Sequence, residues 1–89
     1  MTRTGLIPVG VVFRRLSRLV VLKGEVMPRL GATLYSADGK AVGYVSDIFG
    51  KVGGFYVVMR LTGEESKVDI GEKLYLSSGE EGVSTPVYG

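Results

Sequence analysis

Residues 9–24 run Val9-Gly10-Val11-Val12-Phe13-Arg14-Arg15-Leu16-Ser17-Arg18-Leu19-Val20-Val21-Leu22-Lys23-Gly24, and two folds compete for them. On a helical wheel Val9, Val12, Phe13, Leu16, Leu19 and Val20 share one side, with Arg14, Arg15 and Arg18 opposite, the pattern of a basic amphipathic helix. Against it stand five valines at positions 9, 11, 12, 20 and 21, Gly10 near the start and no strong cap. Crowded β-branched side chains lose freedom in a helix and fit a pleated sheet. The balance favours a hairpin: Val9 to Leu16, a tight turn near Ser17-Arg18, then Leu19 to Leu22 ended by Lys23-Gly24.

Working outward from this hairpin, the rest of the chain reads as β. Pro28 lacks a backbone donor and Gly31 permits unusual dihedrals, so Met27 to Gly31 is a connection. Thr33 to Tyr35 is a short strand. Ser36-Ala37-Asp38-Gly39-Lys40 is a turn, Asp-Gly being a strong hairpin signal. Ala41 to Ile48 is a strand with Val42, Tyr44 and Ser46 assigned to one face and Val45 to the other. Phe49 to Gly54 reads as a glycine-interrupted loop, Phe55 to Leu61 as the most apolar strand, Thr62 to Asp69 as a polar loop and Glu72 to Leu76 as a last strand. Six short strands without a convincing helix close most economically into a small barrel, since closure removes exposed edges. The expectation is an all-β, six-stranded split barrel over residues 1–76, with residues 77–89 a flexible tail.

Composition narrows the chemistry. The 89 residues include no His, Cys, Trp, Asn or Gln. That excludes Ser-His-Asp and Cys-His nucleophiles and zinc sites built on thiolate or imidazole. Without Cys, stability must come from packing; the missing Cys, Asn and Gln also match the depletion of thermolabile side chains in heat-adapted proteins. The formal charge is +2, but residues 1–31 carry +5 and residues 32–89 carry −3. The basic first third keeps an RNA contact through Arg14, Arg15 and Arg18 open, although strong phosphate binders concentrate more charge. The longest apolar run, Gly5 to Phe13, falls far short of the ~20 residues a bilayer needs, so neither a membrane partner nor a leader is expected and the chain reads as cytoplasmic.

Candidate chemical motifs have ordinary explanations. Phe49-Gly50-Lys51-Val52-Gly53-Gly54-Phe55 matches neither the dinucleotide fingerprint nor the P-loop, and no helix follows to supply a dipole; turn glycines account for it. Glu64-Glu65 and Glu80-Glu81 fall in stretches read as solvated loop and tail, so no catalytic, metal or cofactor site is assigned. Asp47, at a strand end, is best used to hold the following loop by a hydrogen bond. Phe49, Phe55, Tyr56 and Tyr44 cluster with only Lys51 interleaved, which points to core or a protein-binding patch before base stacking.

The segment Pro28-Arg29-Leu30-Gly31, Leu34-Tyr35, Asp38-Gly39-Lys40-Ala41-Val42-Gly43-Tyr44-Val45, Asp47-Ile48-Phe49-Gly50-Lys51-Val52 and Tyr56-Val57-Val58 resembles the glycine–arginine-rich small subunit of box H/ACA ribonucleoproteins in its archaeal, core-only form. The resemblance covers about Gly5 to Leu76, and its most specific piece is D-I-F-G-x-V. Two positions depart: Lys51 and Phe55 stand where the family has prolines, a change that loosens a loop. The resemblance implies a non-enzymatic barrel that docks on the catalytic domain of the H/ACA pseudouridine synthase, meets guide and substrate RNA indirectly, and promotes substrate loading and release. Ile48, Phe49, Gly50, Val52 and Tyr56 would form the docking surface; Pro28, Gly31 and Gly43 would shape the backbone and Asp47 would brace the loop. Weak self-association is expected when the partner is absent. Two alternatives remain: a stand-alone RNA-binding barrel similar to Sm-like or cold-shock modules, and a PRC-barrel-like adaptor, whose D-G-x-x-[LIV]-G-x-V-x-D pattern resembles residues 38–47.

Overall fold

The computed structural model describes residues 5–51, 53–63 and 67–77. Six strands, β1 (Leu6–Leu16), β2 (Leu19–Gly24), β3 (Thr33–Tyr35), β4 (Ala41–Lys51), β5 (Gly54–Leu61) and β6 (Lys73–Ser77), pair antiparallel in the order β1-β2-β5-β4-β3-β6 and close on themselves. No helix occurs among the described residues. The valine-rich stretch is the hairpin: Leu16 pairs with Leu19, and Ser17 turns the chain at φ 57°.

Pro8 sits inside β1, two residues before pairing with β2 begins at Gly10. One side of the strand has no ladder partner there, and a residue without an N–H is tolerated. The seam between β3 and β6 is the narrowest, held by one residue pair, Tyr35 with Tyr75.

Alternation fills the barrel. Val9, Val12, Val20, Leu22, Leu34, Val45, Val57, Met59, Leu74 and Leu76 are essentially inaccessible and form a single core. Four register breaks interrupt the alternation: between Pro8 and Gly10 and between Val12 and Arg14 on β1, between Leu34 and Tyr35 where β3 meets β4, and between Val45 and Asp47 on β4. Each inserts a residue opposite none, which bends the strand and increases its twist, the curvature a small barrel needs.

These breaks correct the face assignment for β4. Val42 and Val45 are both buried, whereas Tyr44 is exposed. Val42 is the extra residue between Ala41, opposite Tyr35, and Gly43, opposite Leu34, and a bulge lets it turn inward out of phase with Tyr44.

A second correction concerns Phe49 to Gly54, expected as a loop. β4 runs on to Lys51 and β5 starts at Gly54, with Phe49 opposite Tyr56, Gly50 opposite Phe55 and Lys51 opposite Gly54. Proline at 51 or 55 would lack an N–H for this ladder. Lys51 and Phe55 keep theirs, so the departures from the family pattern permit a longer hairpin where a looser loop was expected. Phe55 anchors it from inside, buried with its ring over Gly24, where any Cβ would lie 2.0 Å from Cε2.

Candidate functional site

Extending the β4–β5 hairpin decides which side chains share a face, because successive residues of a strand point to opposite sides. Phe49 and its partner Tyr56 therefore stand together on the outside. Their rings stack with centroids 5.4 Å apart and planes 16° from parallel. Phe49 is 50% exposed, although an isolated domain has every reason to bury a phenylalanine.

A third ring joins them. The register on β1 steps from Val12↔Leu22 to Arg14↔Val21, leaving Phe13 as the extra residue of a bulge. Its ring lies 5.7 Å from that of Tyr56, tilted by 54°, and it is 49% exposed. The outer surface of β1, β2, β5 and β4 thus carries a row Phe13–Tyr56–Phe49 drawn from three strands. Phe13 was missed as a site residue because its position depends on pairing across β2, a long-range fact with no local signature.

The expected docking residues separate. Phe49 and Tyr56 lie on the outer row, and Gly50 is exposed beside them. Ile48 is turned away, partly buried against the core, because it pairs with buried Val57 while Phe49, the next strand residue, points to the outer face. Val52 lies outside the described residues, as do Glu64, Glu65, Glu80, Glu81 and the tail from residue 78 onward.

The shape-setting residues have specific jobs. A Cβ on Gly43 would lie 2.4 Å from the Arg60 carbonyl oxygen and 2.9 Å from Met59 Cγ, so β4 approaches β5 more closely there than any side chain permits. Gly50 has φ 112°, and a Cβ would meet the Gly54 oxygen at 2.7 Å; this position needs both glycine's freedom and its lack of bulk. Gly31, at φ 88°, donates its N–H to the Val45 carbonyl at 2.8 Å. Pro28 is fully buried.

Asp47 has a narrower role than bracing a loop. Its Oδ1 accepts the N–H of Ile48 at 2.8 Å, and the preceding Ser46 Oγ donates to the Val58 carbonyl at 3.3 Å. Both bonds fasten the β4 bulge that sets the phase of Ile48 and Phe49. Among the charged groups, the Ser36 hydroxyl and then the Lys40 backbone N–H hold the Asp38 carboxyl below its ordinary value, which staples the β3–β4 turn.

The three arginines of β1 and its turn are used in two ways. Arg14 and Arg15 project from the strand, exposed. Arg18 reaches across to β5, its Nη2 donating to the carbonyls of Gly63 at 2.7 Å and Leu61 at 3.3 Å. No group of three Asp or Glu side chains stands close enough to hold a metal ion among the described residues.

The face therefore offers stacked rings, two of them half-exposed, held on the strands of one sheet. The model of one protein family, described as the Gar1/Naf1 RNA binding region, matches residues 6–84, most of the chain and all six strands. A comparison with curated protein sequences finds no significant match.

Proposed function

The chain belongs to the Gar1/Naf1 RNA-binding family, and from that premise we propose that it is a non-catalytic subunit of the H/ACA RNA-guided pseudouridylation complex. In this reading it docks on the catalytic domain of the pseudouridine synthase and promotes substrate RNA loading and product release during rRNA modification. The family is one of non-catalytic RNA-binding and assembly proteins, and membership supports an H/ACA-associated RNA-binding role. Docking on the synthase is the finer step, and one observation carries it: the Phe13–Tyr56–Phe49 row.

Exposed aromatic clusters of this kind mark interfaces, because a few large rings seated in a partner's pockets dominate binding energy. The rings are held by strands, so little conformational freedom is lost when a partner closes over them. The catalytic carboxylate of such a particle would belong to the partner; the barrel would lend it a rigid surface. A stand-alone RNA-binding barrel remains the second reading, favoured by the exposed Arg14 and Arg15. Co-expression with a pseudouridine synthase subunit of the H/ACA class separates the two. Docking predicts a stable complex in the absence of RNA; a chain that binds RNA but never co-purifies with the synthase would leave the second reading.

A further inference from the structure

Buried neighbours fix which side chains of β2 and β5 point outward. Val20 and Leu22 on β2 and Val57 and Met59 on β5 are buried, so Val21 and Lys23, and Tyr56, Val58 and Arg60, stand on the outer face. Direct pairing aligns them, Lys23 with Tyr56 and Val21 with Val58. The neighbouring strands extend these lines: Phe49 lies opposite Tyr56 and Asp47 opposite Val58 on β4, and Arg14 opposite Val21 on β1. The aromatic row is therefore one margin of a four-strand face whose centre is the Val21–Val58 pair. Both valines are half-buried, where an antiparallel sheet that meets water ordinarily carries polar groups.

The charges around this centre have one dominant sign. Arg14, Lys23 and Arg60 are exposed and flank the valine pair on three sides. By strand geometry Arg14 lies roughly 8 Å from Lys23 and roughly 12 Å from Arg60. None of the three forms an ion pair among the described residues, whereas Lys73, farther round the barrel, has Glu25 at 3.9 Å. Asp47 is the acid on the fourth side, and its Oδ1 already accepts the Ile48 N–H.

An apolar centre ringed by cations complements an apolar surface ringed by carboxylates. A second copy docking through the same face would set cations against cations, which costs binding energy. A nucleic-acid strand would take the cations but gain little from the valines, because bases stack on flat π faces and phosphates seek donors. A protein surface uses both parts, with apolar groups seated on Val21 and Val58 and charged groups at the rim.

We propose that the docking face extends from the Phe13–Tyr56–Phe49 row across Val21 and Val58, and that it selects a protein partner whose rim carboxylates meet Arg14, Lys23 and Arg60. The inference rests on the reading of the chain as a synthase-docking barrel and states what the synthase must present: an apolar patch flanked by Asp and Glu side chains. The two parts of the face divide the work. Rings and valines hold the formed complex and govern its dissociation, whereas the cations steer the approach and govern association.

Stopped-flow mixing of the full chain with the purified synthase subunit tests this at ionic strengths from about 10 to 150 mM, over which the screening length shrinks from about 30 to about 8 Å. The wild-type association rate is expected to fall steeply as salt rises. The R14E/K23E/R60E variant should associate on the order of tenfold or more slowly at low salt and lose or invert that dependence, with dissociation changed by less than about threefold. Val58→Thr should do the reverse, dissociating several-fold faster with the salt dependence retained. If the triple variant melts early, Lys23→Glu alone carries the test, with association about threefold slower.

Phe49→Ala separates the two levels. Faster dissociation of that variant, combined with wild-type association of the charge-reversed chains, would leave docking intact and overturn the acidic partner alone. A wild-type chain that never binds the synthase overturns docking and this inference together. Association independent of salt overturns the inference. So does a charge-reversed chain that meets the synthase at the wild-type rate and has lost only its affinity for a labelled single-stranded RNA.

Discussion

The ring of Phe49 lies 5.4 Å from the ring of Tyr56 and within 16° of parallel, on the outside of a barrel whose inside is already filled. The pair exists because β4 and β5 continue in register to Lys51 and Gly54. Outward stacking of this kind adds about 0.5–1.5 kcal/mol to a hairpin, too little to explain why a large ring is left half in water. A partner surface explains it better.

Gly43→Ala tests the close approach that holds β4 against β5. The added methyl would meet a backbone carbonyl at 2.4 Å, and that oxygen cannot retreat without loosening the sheet. We expect a loss of about 1–3 kcal/mol, as overpacking usually costs. For a domain of this size the midpoint falls by roughly 4–8 °C for each kcal/mol. An unchanged thermal melt would show that the two strands can part without penalty.

Arg18→Ala removes the strap from the β1–β2 turn to the end of β5. Its two bonds to the Gly63 and Leu61 carbonyls are partly in solvent, so a loss of about 1 kcal/mol is expected. Faster amide exchange at the end of β5 should accompany it. Unaltered stability and exchange would show that the two bonds add nothing to the closure of this end of the barrel.

Asp38→Ala should alter how stability responds to acid. The carboxyl is held below its ordinary value, first by the Ser36 hydroxyl and then by the Lys40 N–H. A group whose folded pKa is depressed stabilises above its unfolded pKa, and the contribution is lost as pH falls through the folded value. The variant should therefore be less stable near neutral pH and converge with the wild type in strong acid, as measured by urea midpoints across pH. Parallel curves would mean that the turn owes nothing to the ionised carboxylate.

Leu74→Ala probes the wall next to the thin β3–β6 seam. Leu74 is fully buried, and truncating such a side chain costs about 2–5 kcal/mol. With only Tyr35↔Tyr75 pairing across that seam, we expect a cost in this range and early exchange of the β3 amides. A loss below about 1 kcal/mol would show that the seam relaxes around the cavity.

Much of the barrel was legible in the sequence because its signals are local. β-branched density told a hairpin from a helix over residues 9–24, and Asp38-Gly39 marked the β3–β4 turn. What was misplaced depends on pairing partners distant in sequence. The glycines around residue 50 look like a loop until Phe55 is seen anchoring from inside and Tyr56 from outside. The β4 and β1 bulges break the period-two pattern, which moved Val42 inward and brought Phe13 out beside Tyr56. Ile48, adjacent to Phe49 in the chain, belongs to the other face by ordinary alternation once the strand runs on past it.

The affinity of the purified synthase subunit for the wild-type chain and for Phe49→Ala tests the docking surface most directly. Phe49 is exposed, so the variant should fold with no more than about 1 kcal/mol lost in a thermal melt. Binding should weaken by more than about 1 kcal/mol, as expected of an aromatic anchor at an interface. A folded Phe49→Ala protein that binds the synthase as tightly as the wild type would contradict the assignment of the Phe13–Tyr56–Phe49 row as the docking surface.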